Sequence, residues 1–283
     1  MNNNNRRFFL KSSGLILGSF LLARLGMAKS PAQAARFNLR LDLKDVNFVF
    51  TGNLNRKQHL ETTVAPILQN ISAVYLDTGN FTAHSKAKTI DRVKQMNDLG
   101  CQAAALGRDE LTMPETDLLT LARSCDFTLL NSLAVWQNRE LSNRIKPFQL
   151  IQIVDRRVGV LAIGPVSLSG SEVHRLTSLA KRLREEEQCH MIICLVPEGH
   201  NKKKLKEIAE QSEAIDLFLC AATDAEVGLC YVLKNREHTD TTLIYGGKGG
   251  VEWGHYAANM ESVGYVLPNT MGCYTPKNLP GLS

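Results

Sequence analysis

Short apolar, β-branched runs alternate with amphipathic stretches through most of this 283-residue chain, and no other feature limits the fold so tightly. The runs at 46–51, 73–77, 103–106, 127–131, 191–196 and 217–220 are too short for buried helices and read as strands. Between them, 59–70, 88–99, 114–125, 171–187 and 202–211 read as helices. In 88–99, Ile90, Val93, Met96 and Asn97 recur at three-to-four spacing, and Pro114 suits the first turn of its helix. The 171–187 helix opens with a Ser-x-x-His start at Ser171 and His174. At 148–154 and 158–163 the rhythm changes, and Asp155-Arg156-Arg157 predicts a hairpin. From Leu229 onward the pattern predicts a β-meander with turns at 235–240 and 246–250. Pro268, Pro276 and Pro280 predict an irregular tail over 268–283. The pattern implies α/β architecture with mixed sheets in one body, without an internal repeat or low-complexity linker.

The first 34 residues belong to a different kind of segment. They hold Arg6, Arg7, Lys11, Arg24 and Lys29 without a single acid, then a modest apolar stretch at 14–23, then Pro31-Ala32-Gln33-Ala34. A basic start, a short apolar region and a small-x-small site describe an export signal, expected to be cleaved after Ala34. The Arg6-Arg7 pair, followed by Phe-Leu-Lys and a weakly apolar region, resembles the twin-arginine signal of bacterial export. That resemblance implies the twin-arginine translocation machinery as a partner and a periplasmic destination for an already folded protein. The charge balance agrees with this division. The chain has 33 basic and 28 acidic residues, and removing the five basic residues of 1–34 leaves 28 against 28. A neutral body offers no general attraction to nucleic acid. No apolar run reaches the ~18 residues of a membrane-spanning helix.

Seven cysteines (Cys101, Cys125, Cys189, Cys194, Cys220, Cys230 and Cys273) follow the signal, with no CxxC or zinc-finger spacing. Cys194 and Cys220 lie in apolar runs and read as small buried hydrophobes.

The strand ends carry motifs. Residues 51–56 read TGNLNR, 76–82 LDTGNFT and 96–111 MNDLGCQAAALGRDEL, with weaker echoes at 127–135, 157–164, 191–199 and 214–224. In order and wording these resemble the calcineurin-like metallophosphoesterases, specifically the N-terminal domain of periplasmic 5′-nucleotidases and UDP-sugar hydrolases. The likeness runs from about Val46 to Met260, and 96–111 is its most specific part. It implies a four-layer α/β/β/α sandwich, two mixed sheets flanked by helices, over 35–267. It also implies a pair of divalent metals at the strand ends that activate hydroxide for phosphoryl transfer.

At the ligand positions that the resemblance marks, this chain carries other chemistry. Asn53 and Asn55 replace an aspartate and a histidine, and Asn80 replaces the bridging aspartate. Arg108 and Asp109 replace an asparagine–histidine pair. Pro197 replaces one further histidine, and Ala222 and Asp224 replace two more. An amide has no charge and one acceptor oxygen, proline and alanine have no ligand, and a permanent guanidinium repels dications. The expectation is a pseudoenzyme with no metal cofactor, binding either an anionic ligand or an envelope protein.

Two uses of Arg108 follow from its chemistry. It either pairs with Asp109 or neighbours and fills the vacated hole, or joins Asn53, Asn55 and Asn80 as a fork of donors for phosphate or carboxylate. Asp77 is expected to cap its loop. An alternative keeps phosphohydrolase activity on Mn, Zn or Fe, held by at least three of Asp77, His84, Asp109, His200 and Asp224. A third reading is a structural subunit of an exported redox complex. Gly246-Gly247-Lys248-Gly249-Gly250 lacks the Ser/Thr of a phosphate loop and reads as a turn. Lys202, Lys203, Lys204 and Lys206 read as one solvated helix face balanced by Glu207 and Glu210. His174, His190 and His238 read as surface or satisfied histidines, and Trp136 and Trp253 as packing residues.

Overall fold

A computed structural model describes residues 45–54, 60, 64–70, 73–153, 155–165, 168–223, 226, 228–246, 253–259 and 267–274. Two sheets stack face to face. The first runs β13-β12-β1-β2-β3-β4-β5, where β1 is Asp45–Thr51, β2 Ala73–Asp77, β3 Cys101–Ala105, β4 Thr128–Leu130, β5 Ile145–Lys146, β12 Trp253–Asn259 and β13 Leu267–Tyr274. Its β1–β5 portion is parallel, and β12 and β13 add antiparallel pairings. The second runs β10-β11-β9-β8-β7-β6, with β6 Phe148–Ile153, β7 Arg156–Ala162, β8 Met191–Val196, β9 Leu217–Ala221, β10 Cys230–Lys234 and β11 Asp240–Gly246. Both sheets are mixed.

Strand alternation builds the layers. Phe48 and Phe50 on β1, Ala103 and Ala105 on β3, Ile193 and Leu195 on β8, and Leu217 and Leu219 on β9 fill the space between the sheets. The residues between them face outward: Val49 and Ala104 pack under one helix layer, Cys194 and Phe218 under the other. Strands buried on both faces read as continuous apolar runs, and so they were legible.

Helices cover both outer faces: α1 Ala65–Asn70, α2 Lys86–Asp98, α3 Arg108–Leu111, α4 Glu115–Ser124 and α5 Arg139–Arg144 on one side, α6 Gly170–Glu185 and α7 Lys202–Gln211 on the other. Helix α6 buries Val173, Leu176, Ala180 and Leu183, and α7 buries Leu205, Ile208 and Ala209. The resulting four-layer α/β/β/α sandwich is the architecture expected from the sequence.

Several elements differ from expectation. The buried face of α2 is Thr89, Arg92, Val93 and Met96, leaving Ile90 53% exposed. Helix α6 starts earlier: Ser169 is its cap, and Glu172 closes a capping box with it. The expected meander is divided, because β11 pairs with β10 and β9 in one sheet while β12 pairs with β1 and β13 in the other. Residues 247–250 of the expected turn lie outside the described residues. The tail expected to be irregular contributes β13. Its Pro268 sits opposite Ala258, beside a register shift on an edge strand, a position at which sheets tolerate proline. Strand β5 and helices α3 and α5 are too short to show a period. No helix among the described residues is long and apolar enough to cross a membrane.

Candidate functional site

The motif residues gather where β1, β2 and β3 of one sheet and β7 and β8 of the other reach their C-terminal ends, the usual place for a site in parallel sheets. Asn53 and Asn80 both adopt left-handed backbone, with φ of 53° and 58°. Asparagine tolerates that conformation better than most residues, so local geometry already favours an amide at both positions. The Asn53 N–H donates to the Gly79 carbonyl at 2.9 Å, tying the β1 loop to the β2 loop.

A relay of hydrogen bonds orients the two amides. The backbone N–H of Asp109 donates to Asn80 Oδ1 at 3.2 Å. With that oxygen placed, Asn80 Nδ2 donates to Asn53 Oδ1 at 3.0 Å. With its oxygen so engaged, Asn53 keeps its Nδ2 group as a donor. Both side chains are nearly buried, at 2% and 5% exposure. Gly107 permits this packing, since a Cβ there would lie 2.1 Å from Asn80 Oδ1.

Beneath the amides lies Glu110, fully buried at the third position of α3. It accepts the N–H groups of Asn80 at 3.0 Å, Thr82 at 3.0 Å and Gly107 at 2.8 Å, and the Thr82 hydroxyl at 2.9 Å. Burial raises its carboxyl above the usual range, while these donors oppose the rise. Asp77 caps its loop as expected: Oδ1 accepts the Gly79 N–H at 2.8 Å and Oδ2 the Thr51 hydroxyl at 2.6 Å. Burial pushes it up to about 7. From α2, the buried Arg92 donates to the carbonyls of Leu54 and Phe81. Sequence reasoning missed Glu110, Thr82, Gly107 and Arg92. The signals were a glutamate three residues after a glycine cap, and an arginine in register with Thr89, Val93 and Met96.

Arg108 is exposed and makes no ion pair or side-chain hydrogen bond among the described residues, Asp109 included. The expectation that it fills the hole by pairing is therefore corrected: a guanidinium at a helix start is better solvated than buried. Its Nη2 lies 3.7 Å from where a Gly199 Cβ would stand, so it reaches from the first sheet's loops to the loop after β8. Pro197 and Ala222 are buried on that side. Asn55, Asp224 and the signal residues Arg6 and Arg7 lie outside the described residues.

The fold family implies two metals here, and the donors present do not fit them. Asn53 and Asn80 are hydrogen-bonded to one another, Asp77 spends both oxygens on Thr51 and Gly79, and Glu110 spends both on backbone and Thr82. His84 is exposed, and His200 Nε2 lies 2.6 Å from the Gly164 carbonyl oxygen. Among the described residues no three of His, Cys, Asp and Glu are grouped to hold a metal ion. The convergence that the rearranged metal site requires is thus absent from Asp77, His84, Asp109 and His200. Elsewhere, His190 Nδ1 accepts the Arg157 N–H at 3.2 Å, and six described cysteines are unbridged.

No family model matches the chain, and no curated protein sequence matches it. Solved structures do. The NAD nucleotidase of Haemophilus influenzae aligns at a TM-score of 0.68 and 14% identity over 82% of this chain and 56% of its own. The 5′-nucleotidase precursor of Thermus thermophilus gives 0.67 and 14% over 83% and 55%. A calcineurin-like phosphoesterase of Bacillus subtilis gives 0.59 and 14% over 81% and 90%. The chain spans just over half the length of the two nucleotidases. What it shares with all three is the calcineurin-like metallophosphoesterase fold.

Proposed function

We propose that this chain is a metal-free, non-catalytic member of the fold, exported by the twin-arginine route, that binds a phosphate- or carboxylate-bearing ligand at the strand ends. The relay ending on Asn53 Nδ2 carries this reading: both amides are fixed with N–H groups to offer, beside an Arg108 without a partner among the described residues. Donors and a permanent cation complement an oxyanion. The same set lacks the ionised, sharable oxygens that two dications require. In this reading Glu110 and Arg92 hold the loops in place and touch no ligand. The Arg6-Arg7 signal supports a periplasmic location, as does the fold's occurrence in a nucleotidase precursor.

The test is a thermal-shift series on the purified protein with orthophosphate, nucleotides and dicarboxylates. Stabilisation by an oxyanion, abolished in Arg108→Ala, is the expected result. Stoichiometric Mn, Zn or Fe in the protein together with turnover of nitrophenyl phosphate would instead establish the phosphohydrolase reading. Absence of any anion-induced shift counts against the binding site.

A further inference from the structure

Residues 197–200 join β8 to α7 and form the wall that faces Arg108, whose Nη2 lies 3.7 Å from where a Gly199 Cβ would stand. Gly199 has a φ of 119°, a backbone conformation that residues with a Cβ rarely adopt. The next residue, His200, ties this loop to the one after β7, its Nε2 lying 2.6 Å from the Gly164 carbonyl oxygen. A carbonyl only accepts, so Nε2 carries the ring proton and Nδ1 the lone pair. Nδ1 is sealed from solvent and has no hydrogen-bond partner among the described residues.

That seat fits only a neutral ring. A proton on Nδ1 would leave the Gly164 bond intact but enclose a positive charge and an N–H group without an acceptor, both of which water would satisfy. Burial accordingly lowers the basicity of His200, opposed by the Gly164 bond. The other charged groups around the loop are Glu198 on it, Arg108 across from Gly199, and the Lys202–Glu226 pair, 3.9 Å apart, beside it. Tyr245 of β11 and Cys220 of β9 stay protonated, because burial raises both. A cleft of about 360 Å³ borders the loop from Val196 to Asn201, so the ring has room to leave.

What the ring holds extends into α7. Asn201 caps that helix: its Oδ1 accepts the N–H groups of Lys203 at 2.9 Å and Lys204 at 3.4 Å, and its carbonyl accepts that of Leu205 at 2.9 Å. Lys202, Lys203 and Lys204 fill the first turn with no acid among them. Three cations at the positive end of a helix oppose its formation, so this turn depends on its cap.

We propose that His200 is an acid-released latch: a proton on its ring drives it from its seat, frees the 197–200 loop from Gly164 and frays the first turn of α7. The device uses no ligand and does not rest on the oxyanion reading above. Its direction follows from the two states. In the open loop the ring is in water, with the ordinary histidine pKa of about 6.5, whereas the closed seat resists the proton. Below about pH 6.5 the open state therefore holds a proton that the closed state lacks. The open-to-closed ratio then rises about tenfold for each pH unit, until the closed ring itself titrates. Above about pH 6.5 the ratio is constant.

The experiment is hydrogen exchange at the Leu205 amide of the ¹⁵N-labelled protein between about pH 8 and about pH 5, corrected for the intrinsic pH dependence of exchange. The ring-nitrogen spectrum of His200 is recorded alongside. Protection at Leu205 should be constant above about pH 6.5 and fall about tenfold per unit below it, while Ile193 in β8 keeps its protection. The closed ring should show the neutral tautomer with its proton on Nε2. In His200→Gln a side-chain N–H can still serve Gly164 but nothing titrates, so protection at Leu205 should be the same at every pH. Should His200→Gln fail to fold, the wild-type exchange and ring titration decide the matter. The proposal is overturned by Leu205 protection that does not change with pH in the wild type, by the same fall in His200→Gln, or by a His200 ring that takes up its proton near pH 6.5 while Leu205 stays protected.

Discussion

The Glu110 carboxylate accepts the backbone N–H of Asn80 at 3.0 Å, so a buried charge on the β3 side of the site sets the position of an amide on the β2 side. Glu110 serves Gly107 and Thr82 with the same two oxygens. Glu110→Gln would turn one acceptor into an N–H₂ group facing existing donors. The expected loss is about 2–3 kcal/mol of unfolding free energy, the scale of charge-assisted bonds to a buried group. Urea unfolding measures it, and a loss below about 1 kcal/mol would remove Glu110 from the centre of this network.

Gly107 gives a second, sharper test. A Cβ at this position would overlap Asn80 Oδ1 and Cγ, at 2.1 and 2.6 Å. Gly107→Ala must displace the Asn80 side chain and separate it from Asn53. The cost is expected at about 1–3 kcal/mol, as for other overpacked sites. The Asn53 and Asn80 side-chain amide resonances should shift together, and the oxyanion-induced stabilisation should vanish. Unmoved amide signals would show that the relay does not depend on this glycine.

Arg92→Leu probes the clamp from α2. The arginine serves the carbonyls of Leu54 and Phe81, and its charge opposes the rise in the Asp77 pKa. Leucine fits the apolar neighbours but leaves two buried acceptors unmet, at about 1–3 kcal/mol each. Stability should fall, and hydrogen exchange should quicken at Asn53 and Thr82, whose loops the arginine joins. Faster exchange confined to α2 itself would speak against a clamp.

The layers were legible in the sequence because strands such as Met191–Val196 are buried on both faces, and a short apolar run has few other solutions. The strand-end motifs were legible for the same reason: each follows directly on such a run. What escaped was set by tertiary context. Arg92 occupies a core-facing helical position that patterning assigns to an apolar residue, and Ile90 yields the interior to it. The partner of β12 could not be read locally, since the strand crosses to pair with β1 more than 190 positions earlier in the sequence, as Val46 opposite Ala258 shows. Pro268 argued against a strand, but an edge position beside a bulge tolerates it. The fate of Arg108 depended on where the loop after β8 lies, which no local pattern encodes.

Asp77 makes stability depend on pH in a direction opposite to that of an ion-paired carboxylate. Burial carries it from 3.8 in the unfolded chain to about 7 in the folded one. Between those values the folded state holds a proton that the unfolded state has released. The contribution is therefore complete below about pH 4 and disappears as pH rises through about 7. Its slope is about 1.4 kcal/mol per pH unit within that window. A proton on Asp77 has a place to go: donated to Thr51 Oγ1, it lets the Thr51 hydroxyl turn to Tyr75, whose oxygen lies 2.9 Å away. The Gly79 N–H keeps the other carboxyl oxygen throughout. Unfolding free energies of wild type and Asp77→Asn, measured from pH 4.5 to pH 8, isolate this residue from other titrating groups. The wild type should lose stability relative to the variant as pH rises, and a constant difference across the range would place the Asp77 pKa outside it.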